Sequence, residues 1–127
     1  MAYFPDLSPY TYLKREPDPT LLNVGWLDNE HDFPIGEVEP EVLNKLFALC
    51  LTPARQTRGW HACQLCPHQP GGRLVERLGR QCRLGSAEIR VRGSGGIDFA
   101  SPNLIFHYVR DHSYLPPPQY LEALRNS

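Results

Sequence analysis

The sequence predicts an α+β fold in which a cysteine turn, a β-hairpin or meander and a helix follow one another, with one further helix in the N-terminal half. Three observations predict it. Two segments, near 40–51 and 101–112, carry apolar residues at helical spacing; residues 73–100 alternate apolar and polar side chains; and Cys63-Gln64-Leu65-Cys66 lies in a Pro- and Gly-rich stretch that continues neither period. The chain has 127 residues, a length that suits a single domain over 1–127.

Residues 1–20 contain Tyr3, Phe4, Pro5, Pro9, Tyr10, Tyr12, Pro17 and Pro19, which read as an extended arm packed along the domain by its aromatic rings. A short strand is expected over 22–27, with Val24 and Trp26 on one face. Pro40 opens the first helix at about 40–51: its missing N–H costs nothing in a first turn, and Glu39 and Glu41 complement the positive helix end. Leu43, Leu46, Phe47 and Cys50 then form one stripe, with Cys50 as a small core hydrophobe, and Thr52-Pro53 ends the helix. Residues 53–72 are irregular, which in a compact domain signals function or a bound ligand. Gly93-Ser94-Gly95-Gly96 separates Ala87–Arg92 from Ile97–Phe99 and predicts a hairpin. Ser101 as N-cap and Pro102 at the first position are expected to start the next helix, whose face carries Ile105, Tyr108, Val109 and His112. After Pro116-Pro117-Pro118 a last helix, about 118–124, presents Tyr120, Leu121 and Leu124.

Two thiolates three positions apart on a tight turn supply half of a tetrahedral metal shell, because the turn's amides point at the sulfurs. The other half is sought where two histidines end a helix, at His107 and His112. On an ideal helix this pair lies about 140° apart; the two converge if the last turn loosens near Ser113, as the prolines that follow suggest. The expected ligand set is therefore Cys63, Cys66, His107 and His112, the expected cofactor a structural zinc ion, and the expected module residues 53–112 in a treble-clef-like order. Forty residues separate Cys66 from His107, too many for a DNA-reading finger. His61, His68 and Cys82 remain alternative ligands; Cys82 has Gly85 where a four-cysteine ribbon would place its partner. A redox role for Cys63-x-x-Cys66 is disfavoured because Pro67, Pro70, Gly71 and Gly72 prevent a helix from starting there. Asp111 beside His112 reads as a solvated carboxylate. No nucleophile elbow, phosphate loop or dinucleotide fingerprint is present.

Net charge is −1, unevenly spread: residues 1–49 hold three basic and nine acidic side chains, whereas 50–92 hold eight arginines against Glu76 and Glu88. These arginines either pair with the acidic N-terminal part or meet a partner. No apolar run is long enough for a membrane span and no secretory leader is evident, so a cytoplasmic location with reduced thiols is expected.

Tyr3–Tyr10, Asn23–Leu27, Thr57–Cys63, Leu84–Val91 and Ser101–Tyr108 together resemble a family of small bacterial proteins with no assigned function. The resemblance covers most of the chain and implies a bacterial cytosolic single-domain protein; it brings no catalytic residue or substrate. The functional expectation is a non-enzymatic, zinc-stabilised domain that binds a partner, foremost a protein, through Arg73, Arg77, Arg80, Arg90 and Arg92, with Arg55, Arg58 and Arg83 nearby and Tyr10 and Tyr12 as anchors. The alternatives are nucleic-acid binding through the same arginines and a zinc-dependent hydrolase or nuclease with Glu88 or Asp98 as general base.

Overall fold

Strand pairing in this protein is decided far along the chain. The computed structural model describes residues 3–11, 16–56, 60–67 and 72–127. Among them, β1 (Pro9–Tyr10), β2 (Asp18–Asn23), β3 (Arg55–Gln56), β6 (Ala87–Arg92) and β7 (Asp98–Pro102) form one sheet in the order β1-β2-β7-β6-β3. A separate hairpin joins β4 (Arg73–Arg77) to β5 (Arg80–Leu84). The helices are α1 (Pro40–Leu51), α2 (Ile105–His112) and α3 (Pro118–Arg125). The architecture is α+β.

The expected hairpin forms as β6 and β7, antiparallel with Val91 opposite Phe99. β7 also pairs with β2, in parallel, with Leu22 opposite Phe99. A parallel pair needs a long crossover, and here α1 and the β4–β5 hairpin lie within it. One core results. Phe47 of α1 meets Phe106 of α2 edge-on at 5.4 Å, and Phe99 of β7 meets Tyr120 of α3 at 5.5 Å. Cys50 is buried in this core, with its thiol toward the Asn103 carbonyl.

Two expected boundaries are corrected. The strand expected over 22–27 runs over Asp18–Asn23 instead, because Gly25 has φ +83° and turns the chain. Val24 and Trp26 are both buried beyond it, and the Trp26 indole N–H donates to the Ala100 carbonyl at 3.0 Å. Ser101 and Pro102 do not cap a helix. They are the last residues of β7, where the Ser101 hydroxyl donates to Tyr120 Oη at 2.9 Å and Pro102 lies opposite Glu88. The helix starts at Ile105.

The N-terminal arm is tied into the sheet edge. Tyr10 is 1% exposed, and its O–H donates to the Glu88 carboxylate, 2.9 Å from Oε1. The Arg90 guanidinium donates to the same oxygen at 2.9 Å and lies over the Tyr10 ring at 5.0 Å. Tyr10 is therefore no partner anchor, and Tyr12 lies outside the described residues. Glu88, offered above as a general base, is 1% exposed and committed to this network.

Burial, followed by the neighbouring Glu88 charge, pushes the Tyr10 phenol up to about 12. The folded state thus holds this proton more tightly than the unfolded chain, whose tyrosines titrate near about 10. The contribution is complete below about pH 10 and is lost as pH rises through about 12. Tyr10→Phe should cost on the order of 2 kcal/mol at neutral pH, the worth of a hydrogen bond to a charged group. In urea unfolding at pH 8 and pH 11, the variant should lose less stability than the wild type between the two.

Candidate metal centre

The cysteine turn is positioned by backbone contacts from the β5–β6 connection. The His61 N–H donates to the Gly85 carbonyl at 2.8 Å, which fixes the chain two residues before Cys63. Within the turn the Leu65 N–H donates to Cys63 Sγ at 3.3 Å. Facing it is the end of α2. That helix is held from below by Asn103, whose N–H donates to Ala87 O and whose Oδ1 accepts from the Gly85 N–H at 2.8 Å.

The last turn of α2 is widened. The Ser113 N–H donates to the Tyr108 carbonyl, five residues back, and Ser113 has φ +56°; the Tyr114 N–H reaches the same carbonyl at 3.1 Å. A five-residue hydrogen bond is the π-type turn, wider than an α turn. It removes much of the angular offset between residues five apart, so His107 and His112 converge. Their rings stand edge-on, with centroids 4.8 Å apart.

Cys63, Cys66, His107 and His112 come together: one donor atom from each lies within 4.8 Å of all the others. Cys66 Sγ is 3.2 Å from His107 Nε2 and 3.0 Å from His112 Nε2, and Cys63 Sγ is 3.6 Å from His112 Nε2. A tetrahedral ion with ordinary sulfur and nitrogen bond lengths requires sulfur–nitrogen edges of about 3.6 Å. Three of the sulfur–nitrogen separations thus lie at or somewhat below that edge, and no donor pair is farther apart than 4.8 Å.

Charge and tautomer agree with that use. His107 Nδ1 is 2.7 Å from Asp111 Oδ2, so Nδ1 carries the proton and the Nε2 lone pair faces the sulfurs. Burial lowers the His107 pKa despite the opposing Asp111 hydrogen bond, which favours the neutral, ligating imidazole. Burial alone would raise Asp111, but hydrogen bonds from Arg110 and His107 outweigh it and keep the carboxylate charged. Burial pushes the Cys63 thiol up to about 11. A thiolate there needs a compensating cation, and a bound metal ion supplies one.

The alternative ligands fall elsewhere. The Cys82 thiol donates to the Cys50 carbonyl at 3.3 Å, His61 is outside the cluster, and His68 lies outside the described residues. Asp111 is exposed, as expected, and it also orients His107. The signal was available in the four-residue spacing from His107 to Asp111, which puts both on one helix face. Asp111→Asn should weaken metal affinity about 10- to 100-fold with the fold intact, as read by competition with a chromogenic chelator.

The arginines named from sequence divide between two sheets. Arg73, Arg77 and Arg80, with Arg83, belong to the β4–β5 hairpin; Arg90 and Arg92 belong to β6. Arg77 donates to Asn44 Oδ1 at 2.6 Å, and Arg90 is held by Glu88 and Tyr10. Arg55 is exposed on β3, and Arg58 lies outside the described residues.

Fold and site together define an α+β protein with a Cys₂His₂ cluster able to hold a metal ion between a cysteine turn and a helix end. The chain belongs to the family described as "Domain of unknown function (DUF7919)", whose model matches residues 2–125. No curated protein and no solved structure matches it. Among the described residues no helix is long and apolar enough to cross a membrane.

Proposed function

We propose that this chain is a non-enzymatic, zinc-stabilised domain that binds a protein partner through the β4–β5 hairpin. Two sulfur and two imidazole donors gathered within 4.8 Å of one another suit zinc, and four protein ligands leave no position for a reactive water. The order of cysteine turn, hairpins and ligand-bearing helix supports a treble-clef-like reading of this part. A cytoplasmic setting, where thiols stay reduced, fits the same chemistry.

The observation that carries the partner reading is the surface of the hairpin. It lies outside the five-stranded sheet and exposes Leu74 at 53% and Leu78 at 66%, beside the exposed Arg80 and Arg83. Apolar side chains interleaved with arginine are the composition of protein interfaces. Trp60 is 47% exposed, but a Cβ on Gly72 would stand 2.6 Å from its ring and Arg83 lies over it at 5.8 Å. A photo-crosslinking residue placed at position 78 in living cells tests the reading. Adducts should be peptides. Nucleotide adducts, or salt-sensitive binding of DNA or RNA by the purified chain, would favour the nucleic-acid alternative.

A further inference from the structure

We infer that the protein partner of the hairpin is a second copy of this chain, with the Leu78 tip of one copy seated in an acidic groove beside the cysteine turn of the other. This rests on the reading of the hairpin as a protein-binding element.

The tip is the first observation. Leu78 and Gly79 join β4 to β5, with φ +55° and +73°. Two consecutive positive-φ residues are the pattern of a type I′ turn, whose first central position favours Asn, Asp or Gly. A leucine there is strained in the backbone and leaves its side chain 66% exposed. Neither property helps the hairpin fold, and strain kept without local benefit points to use elsewhere. Arg80 flanks the turn, is exposed and makes no ion pair among the described residues.

The groove is the second. Asp28, His31, Asp32, Phe33, Ile35 and Leu65 line a surface groove of about 520 Å³. Phe33, Leu65 and Ile35 give it apolar walls, and Ile35 is 64% exposed. Asp28 is engaged by His31 at 2.8 Å. Asp32 and the neighbouring Glu30 and Glu37 are exposed and make no ion pair among the described residues. The cysteine turn shapes the groove, because Gln64 Oε1 accepts from the Asn29 N–H at 3.4 Å.

An apolar knob with an arginine at its base thus matches an apolar cleft with a carboxylate rim. The same complementarity runs through the whole chain, acidic over 1–49 and basic over 50–92. Leu78 is exposed, so its own groove does not hold it. Between copies the contact forms either a reciprocal dimer or a head-to-tail assembly.

Sedimentation velocity on the purified full-length chain, at low and at about 0.5 M salt, tests this. At tens of micromolar and low salt the mass should be a multiple of 14.5 kDa, and high salt should return it to one chain. Leu78→Asn should weaken association at least tenfold while leaving Tm equal or higher, since asparagine suits the turn; a merely structural leucine would not separate the two readouts. Arg80→Glu and Asp32→Arg should each be monomeric and should reassociate when mixed, because the swapped charges again face opposite signs. A monomer at every concentration and salt overturns the inference, as does association unchanged by all three substitutions. In the position-78 crosslinking experiment, adducts on residues 28–35 of the chain itself support it. Adducts on a different protein alone overturn it and leave the proposed function standing.

Discussion

Cys66→Ser should abolish metal binding and unfold the cysteine turn together with the end of α2. Cys66 is the most central donor, with its sulfur within 3.2 Å of both histidine Nε2 atoms. A serine hydroxyl is a hard, poorly ionised ligand and does not replace a thiolate. Structural zinc contributes on the order of 10 kcal/mol to the domains it staples, comparable to the entire stability of a chain this size. Apart from the His61–Gly85 bond at its entry and the Gln64–Asn29 bond, the turn is held, among the described residues, only by side chains: Cys63, Leu65 and Cys66 reach the core, but their backbone lies in no sheet or helix. Elemental analysis should find about one zinc per wild-type chain and none in the variant, and hydrogen exchange should show residues 60–67 and 107–115 deprotected. His107→Ala and His112→Ala should each reduce retention, whereas Cys82→Ser and His61→Ala should retain the metal. A wild-type protein that folds normally without metal, with both thiols open to alkylation, would refute the staple. Metal loss in Cys82→Ser with retention in His112→Ala would show that the fourth ligand is misassigned.

Gly85→Ala should destabilise the protein strongly, through backbone that no side-chain movement can relieve. Gly85 has φ +120°, and a Cβ there would stand 2.5 Å from the His61 carbonyl oxygen and 3.4 Å from Gly72 Cα. Both neighbours are backbone, so no flexible side chain can move aside. The same residue accepts the His61 N–H and donates its own to Asn103 Oδ1. The new methyl therefore pushes the approach to Cys63 away from the base of α2. Strain and collision together should cost on the order of 3 kcal/mol and weaken metal retention as well. Gly79→Ala is the control: it also has positive φ, but nothing lies within 4 Å of its Cβ. It should cost about 1 kcal/mol from backbone strain alone. Thermal unfolding of the two variants beside the wild type reads the difference. Equal Tm for Gly85→Ala and wild type would mean that the turn shifts freely and does not position the site.

What the sequence determined by itself was local chemistry. Cys63 and Cys66 declare a two-thiolate turn by spacing alone, and α1 and α3 announce themselves by proline at the start and an apolar stripe after it. The α2 histidines were legible by a less direct route, since residues five apart converge only on a loosened turn, and the prolines after Leu115 hinted at one. The tertiary structure supplied the reason, in the two amides that converge on the Tyr108 carbonyl. It alone decided where Ser101 and Pro102 belong. Ser-Pro before an apolar stripe is a sound helix start by local rules, but the Ser101 hydroxyl finds Tyr120 and the strand finds β2, partners that no local period encodes. It likewise decided that Tyr10 is a buried tie to Glu88, and that the arginines divide between two sheets. Periodicity and spacing act over a few residues. Parallel pairing, buried hydrogen bonds and the grouping of charges depend on which distant segments the core brings together, and that is settled only when the chain closes on itself.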